Sequence, residues 1–160
     1  SVRLVGSEMC IRDSLNTDNE IVGEHNGSIL YTIGQRQGLG IGGIKDKDEL
    51  PWYVYGKNIN KNEIYVCQGV DNQLLYTENI TLDKIHWIND LKEFKHLDCL
   101  VQIRHRHKPV KCIIEFNKGF RVMFDEEIRG VAPGQSAVFY KDNLCLGGGV
   151  IEARNNDLYF

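Results

Sequence analysis

The sequence predicts a mainly β protein: a glycine-rich β region followed by an antiparallel barrel or sandwich. Three observations carry that prediction. Short runs rich in β-branched and aromatic residues alternate with Asn, Asp and Gly clusters at 58–62, 69–72, 117–119 and 141–143, the residues that tight reverse turns require. Only Asp90 to His96 offers a helical turn. The texture also changes near Thr77: glycines and a long loop, Gly42 to Pro51, dominate before it, and evenly spaced strand patterns follow it. A boundary between 15–76 and 77–157 is expected there.

Taken in order, the elements begin with a leader. Residues 1–14, SVRLVGSEMCIRDS, lack the apolar run of a secretory signal and read as an artefactual leader, so the folded chain is expected to start near Leu15. Strands are then expected at Ile29 to Ile33, Trp52 to Tyr55, Glu63 to Gln68 and Leu74 to Thr77. Beyond the boundary they are expected at Lys84 to Trp87, Cys99 to Arg106, Lys111 to Phe116, Phe120 to Phe124, Ser136 to Tyr140, Leu144 to Leu146 and Val150 to Ala153.

Composition excludes several classes. With 42% apolar and 26% charged residues the chain is a globular one, and no run of eighteen apolar residues is present to span a bilayer. Five cysteines without a C-x-x-C pair argue for free thiols in a reducing compartment. The net charge of -3 supplies no global attraction to nucleic acid, so any such binding has to come from a local patch.

Three stretches have the residue types for chemistry. GEHNGSILYTIGQRQGLGIGG, residues 23 to 43, fits G-x-G-x-x-G at Gly38, Gly40 and Gly43. A dinucleotide cradle needs a helix opening after the glycines, and IKDKDELPWYV is too short, too charged and too soon broken by Pro51 to supply one. The loop still offers Arg36 between Gln35 and Gln37 as a fork of donors for phosphate or a base edge. In QIRHRHKPVK, residues 102 to 111, strand alternation would set Gln102, Arg104 and Arg106 in a row about 7 Å apart, matching phosphate spacing. The same strand reads equally as a basic edge that discourages aggregation or docks a protein partner. A zinc reading through Cys99, His105, His107 and Cys112 is weakened by Val101 and Ile103, which separate the sulfur from the imidazoles. In VAPGQSAVFY, Pro133-Gly134 marks a turn with Gln135 at its exit, its amide able to reach outward, and Gly147 to Gly149 suggests a bend or close backbone contact at a barrel corner. No nucleophile elbow, H-E-x-x-H or set-apart acidic pair is present, which favours a binding module over a self-sufficient enzyme.

The motifs YTIGQRQGLGIGG, PWYVYGKN, RHRHKPVKC, VAPGQSAVFY and LCLGGGVIE, in that order, resemble the bacterial tRNA-specific 2-thiouridylase family from about Leu15 to Glu152. The resemblance implies a C-terminal fragment: most of a central domain, here 15–76, and a C-terminal β-barrel, 77–157. It implies a cytoplasmic enzyme that uses ATP with Mg to adenylate C2 of the wobble uridine and replaces the oxygen with sulfur from a sulfur-relay donor protein. The PP-loop ATP domain, catalytic aspartate and catalytic cysteines would lie upstream of Leu15, so this chain is expected to bind no cofactor or metal and to be inactive alone. The tRNA contacts that carry over are Arg104, His105 and Gln135. The family has a tyrosine where His105 stands, and an imidazole stacks with less area than a phenol. Adjacent contacts at Arg104 and His105 need a strand end, twist or bulge, while Arg36 and Arg106 are candidates from charge and loop position alone.

Overall fold

A computed structural model describes residues 12–42, 50–91, 94–155 and 157. The chain divides into two compact units between Asn72 and Gln73. The fold is mainly β.

The first unit is a four-stranded sheet. Its strands are β1 (Asp13–Leu15), β2 (Ile21–Glu24), β3 (Trp52–Asn58) and β4 (Glu63–Gln68), in the order β2-β1-β4-β3. β1 runs antiparallel to β2 and parallel to β4, so Asp13 and Ser14 belong to the sheet although the leader was expected to extend through residue 14. The expected strand Ile29 to Ile33 does not form. Ser28–Leu30 is a 3-10 turn in which Tyr31 N donates to Ser28 O (3.3 Å), and Ile29 and Leu30 are exposed. With no strand partner among the described residues, Ile29 and Leu30 follow their local turn instead. Gly38 and Gly40 take φ values of +75° and +63°, left-handed conformations that glycine adopts without a Cβ clash. Gly43 and the residues that would have opened a helix lie outside the described residues.

The second unit is a sheet of eight strands. They are β5 (Tyr76–Leu82), β6 (His86–Trp87), β7 (His96–Gln102), β8 (Val110–Phe116), β9 (Phe120–Arg129), β10 (Ser136–Lys141), β11 (Leu144–Val150) and β12 (Ala153–Arg154). Their order is β12-β5-β9-β8-β7-β10-β11-β6, every pairing antiparallel. The two ends of that order meet. β5 continues into β6 and β11 into β12, and the pairs Gly147↔Trp87 and Ala153↔Thr81 share one register, so the sheet closes on itself as a barrel. The triple glycine lets the bent ribbons touch: a Cβ on Gly147 would lie 2.9 Å from Trp87 Cα, and one on Gly149 would lie 2.8 Å from Leu82 Cδ2. The close backbone contact expected at Gly147 to Gly149 is present.

Alternate residues fill the interior, with Val101, Ile114, Val122 and Phe139 almost wholly buried and Trp87 packed 6.3 Å from the Phe139 ring. Four sequence expectations change here. Gln73–Leu75 is a 3-10 turn, with the strand expected at Leu74 to Thr77 starting at Tyr76 and running to Leu82. Asp90, Leu91, Phe94 and Lys95 are not helical, Lys92 and Glu93 lying outside the described residues. The closing strand is Ala153–Arg154, because Ile151 N and Gly134 N instead bond with Gln135 O and Ile151 O. β7 stops at Gln102, four residues short of Arg106.

Candidate nucleic-acid interface

The early end of β7 creates the site. The last β7–β8 pair is Val101↔Val110, beside Pro109. The Gln102 side-chain amide then donates to His105 O (3.2 Å) and His107 O (2.9 Å), and His107 N donates to Arg104 O (3.0 Å). Residues 103–109 therefore fold into a compact loop above the barrel wall. The cation row expected for Gln102, Arg104 and Arg106 is overturned, since strand alternation does not extend past Gln102. The strand end that adjacent contacts at Arg104 and His105 require is present. His105, Arg106, His107 and Lys108 are all exposed, giving one concentrated basic loop in a chain of net charge -3.

Arg104 points elsewhere. Half-buried, it donates from Nη2 to Gly130 O at 2.6 Å, the one hydrogen bond of its side chain among the described residues. Four of its five N–H groups thus remain for another acceptor. Gly130 opens the loop that carries the Pro133-Gly134-Gln135 turn, so Arg104 ties the basic loop to the Gln135 loop.

Gln135 differs from its expectation. Its Oε1 accepts from Ala132 N (3.0 Å), closing its own turn, and Gln135 N donates to Ala132 O (3.3 Å). The amide does not swing outward as a whole. Its oxygen belongs to the turn, which aims the remaining NH₂ as a donor.

The 130–135 loop is anchored at further points that the sequence reading missed. Gly130 N donates to Leu75 O (2.9 Å), and the buried Arg154 donates from Nη1 to Val131 O (3.2 Å) while pairing with Asp157 at 2.6 Å. Asp157 also accepts from Arg154 N (2.7 Å) and Nε (2.9 Å). An Arg and an Asp three residues apart near a chain end were the available signal, and nothing local distinguishes them from surface charges.

Arg36 is exposed in the first unit, lining a cavity of about 660 Å³ with Trp52, Gln68 and Asn72. For the zinc reading, Cys99 and Cys112 are buried between strands while His105 and His107 are exposed in the loop. No group of three metal-ligating side chains occurs among the described residues. No described helix is long and apolar enough to cross a membrane.

Two family models match: the tRNA methyl transferase PRC-barrel domain over residues 11–68 and the aminomethyltransferase β-barrel domain over residues 77–151. The first match begins inside the expected leader, in agreement with β1. Among curated proteins, the tRNA-specific 2-thiouridylase MnmA of Buchnera aphidicola (subsp. Schizaphis graminum) is 46% identical over 144 residues, covering 89% of this chain and 39% of the relative. That of Pseudomonas aeruginosa (strain UCBPP-PA14) is 43% identical over 141 residues, covering 88% and 38%, and that of Pseudomonas fluorescens is 44% identical over 137 residues, covering 85% and 37%. The chain thus spans about two fifths of these relatives' length. The domain descriptions speak of methyl and aminomethyl transfer, whereas the relatives are named for thiolation. The relatives weigh more, because each aligns across both units at once.

Proposed function

The chain belongs to the tRNA-specific 2-thiouridylase family, and on that premise we propose that this region grips the substrate tRNA of an ATP-dependent enzyme that thiolates C2 of the wobble uridine. The observation that carries the reading is the Arg104 to Gly130 O bond, which joins an exposed basic loop to the turn bearing Gln135. Arg104 neutralises a phosphate with its unused donors, His105 stacks on a base or ribose, and the Gln135 NH₂ donates to a base edge or backbone oxygen. Arg106 and Lys108 add sequence-independent attraction.

Nothing at this site moves a proton or forms a covalent bond. In this reading the chain binds and orients while ATP, Mg, the catalytic aspartate and the persulfide-forming cysteines belong to a PP-loop domain in cis, fed by a sulfur-relay donor protein in the cytoplasm. The chain alone then binds tRNA without thiolating it.

Titrating the chain with substrate tRNA at two salt concentrations tests this. Two or three phosphate contacts give a slope of log affinity against log salt of about -2 to -3. Absence of a tRNA shift, together with salt-insensitive binding to a protein, would instead identify residues 102 to 111 as a protein-docking edge.

A further inference from the structure

Cys99 and Cys112 face each other across β7 and β8, directly paired in register, with their sulfurs 3.6 Å apart. The bond from Phe116 N to Lys95 O sets which pairs of this ladder exchange hydrogen bonds, and counting by twos puts Cys99↔Cys112 among them. Such pairs hold their Cα atoms about 5.5 Å apart, within the 4.4–6.8 Å that a disulfide spans. The two strands need no register change to bring the sulfurs into bonding distance. Both residues line a cavity of about 600 Å³ with Lys111, Phe124 and Lys141, and Cys99 keeps 8% of its surface accessible.

We propose that Cys99 and Cys112 form a dithiol oxidation site, converted to a cross-strand disulfide by small disulfide oxidants of the glutathione class. The Cys99 thiolate attacks one sulfur of the oxidant and expels one thiolate equivalent. Cys112 then loses its proton and attacks the Cys99 sulfur of the mixed disulfide, expelling the second. The dithiol gives up two electrons and two protons, and one oxidant disulfide becomes two thiols. Cys99 is the attacking group because it is the more accessible of the two, 8% against 4%, and its thiolate can accept a hydrogen bond from the facing Cys112 thiol with Lys141 near, which lowers its pKa against the opposing effect of burial. The same hydrogen bond and burial push the Cys112 thiol up, so it serves as the resolving group. The ring closed by the bond contains the whole 103–109 loop. In a reducing compartment the pair stays open, which makes it a responsive site rather than a permanent staple.

The test treats the chain with oxidised glutathione, alkylates remaining thiols under denaturing conditions and maps the peptides. The expected product has a mass lower by two hydrogens and a Cys99–Cys112 cross-linked peptide that dithiothreitol removes. Cys145, half-buried and without a facing thiol, serves as internal control. Cys99 and Cys112 both remaining alkylatable, a stable glutathione adduct on Cys99, or a cross-link to Cys145 would each overturn the proposal. The map is made on the unaltered chain, so it does not depend on a cysteine variant folding. Cys112→Ser, where it folds, should stop at the glutathione adduct on Cys99, and no adduct there would contradict the assigned attacking group.

Discussion

Two segments reach the 130–135 loop with the same chemical group and end in opposite roles. From the C-terminal strap, the Arg154 guanidinium is buried, bonded to Val131 O and neutralised by Asp157. From the β7–β8 loop, Arg104 is half-exposed, bonded to the neighbouring carbonyl Gly130 O, and has no acidic partner among the described residues. The comparison separates a structural cation from a recognition cation without reference to sequence motif. A guanidinium whose charge is already answered inside the fold contributes to stability, and one held by a single neutral acceptor has charge and donors left for a ligand.

Breaking the inner contact should give the largest effect. Arg154→Ala leaves Asp157 without its partner and Val131 O without a donor, and is expected to cost about 3 kcal/mol of stability. Urea unfolding measures it, with any loss of tRNA affinity following from loss of fold. Breaking the outer contact should do the reverse. Arg104→Ala is expected to cost less than about 1 kcal/mol of stability but about tenfold in tRNA affinity, or about 1.4 kcal/mol.

A smaller effect sharpens the contrast within one side chain. Gln135→Glu keeps an acceptor for Ala132 N, so the turn should survive, while the NH₂ donor is replaced by an anion. Affinity for tRNA is expected to fall about threefold to tenfold with unfolding nearly unchanged, roughly the loss of one hydrogen bond. A loss of stability equal to that of Gln135→Ala would show that the carboxylate does not cap the turn.

The smallest effect extends the rule to the first unit. His25 is buried, its Nδ1 accepts from Gly27 N, and burial lowers its pKa from the ordinary 6.5. Its neutral form belongs to the folded state, so the stability it contributes is present above about pH 6.5 and is lost as pH falls below that value. The first unit should unfold at lower urea at about pH 5.5 than at about pH 7.5, less steeply in His25→Gln, with no matching change attributable to Arg104.

The sequence made the fold class legible because turn residues and period-two runs report local geometry directly. β4 runs from Glu63 to Gln68 as its pattern says. Elements decided by non-local partners were not legible. Ile29 to Ile33 has strand composition but no strand partner among the described residues, and Cys99 to Arg106 lost its last residues to the bonds from the Gln102 side chain to His105 O and His107 O. Charge and the Pro-Gly-Gln turn pointed to the 102–111 and 133–135 segments, but the carbonyl joining them belongs to Gly130, whose side chain is a hydrogen atom and leaves no signal. Arg154 was overlooked for a related reason, since its burial depends on the barrel closing through β12.

The most direct measurement compares the salt dependence of tRNA binding for the unaltered chain and Arg104→Ala, alongside their unfolding free energies. One lost phosphate contact predicts a slope flatter by about one unit with stability changed by less than about 1 kcal/mol. An unchanged slope, or a drop in affinity matched by a loss of stability as large as that of Arg154→Ala, would show that Arg104 is a second structural anchor and contradict its role at the RNA surface.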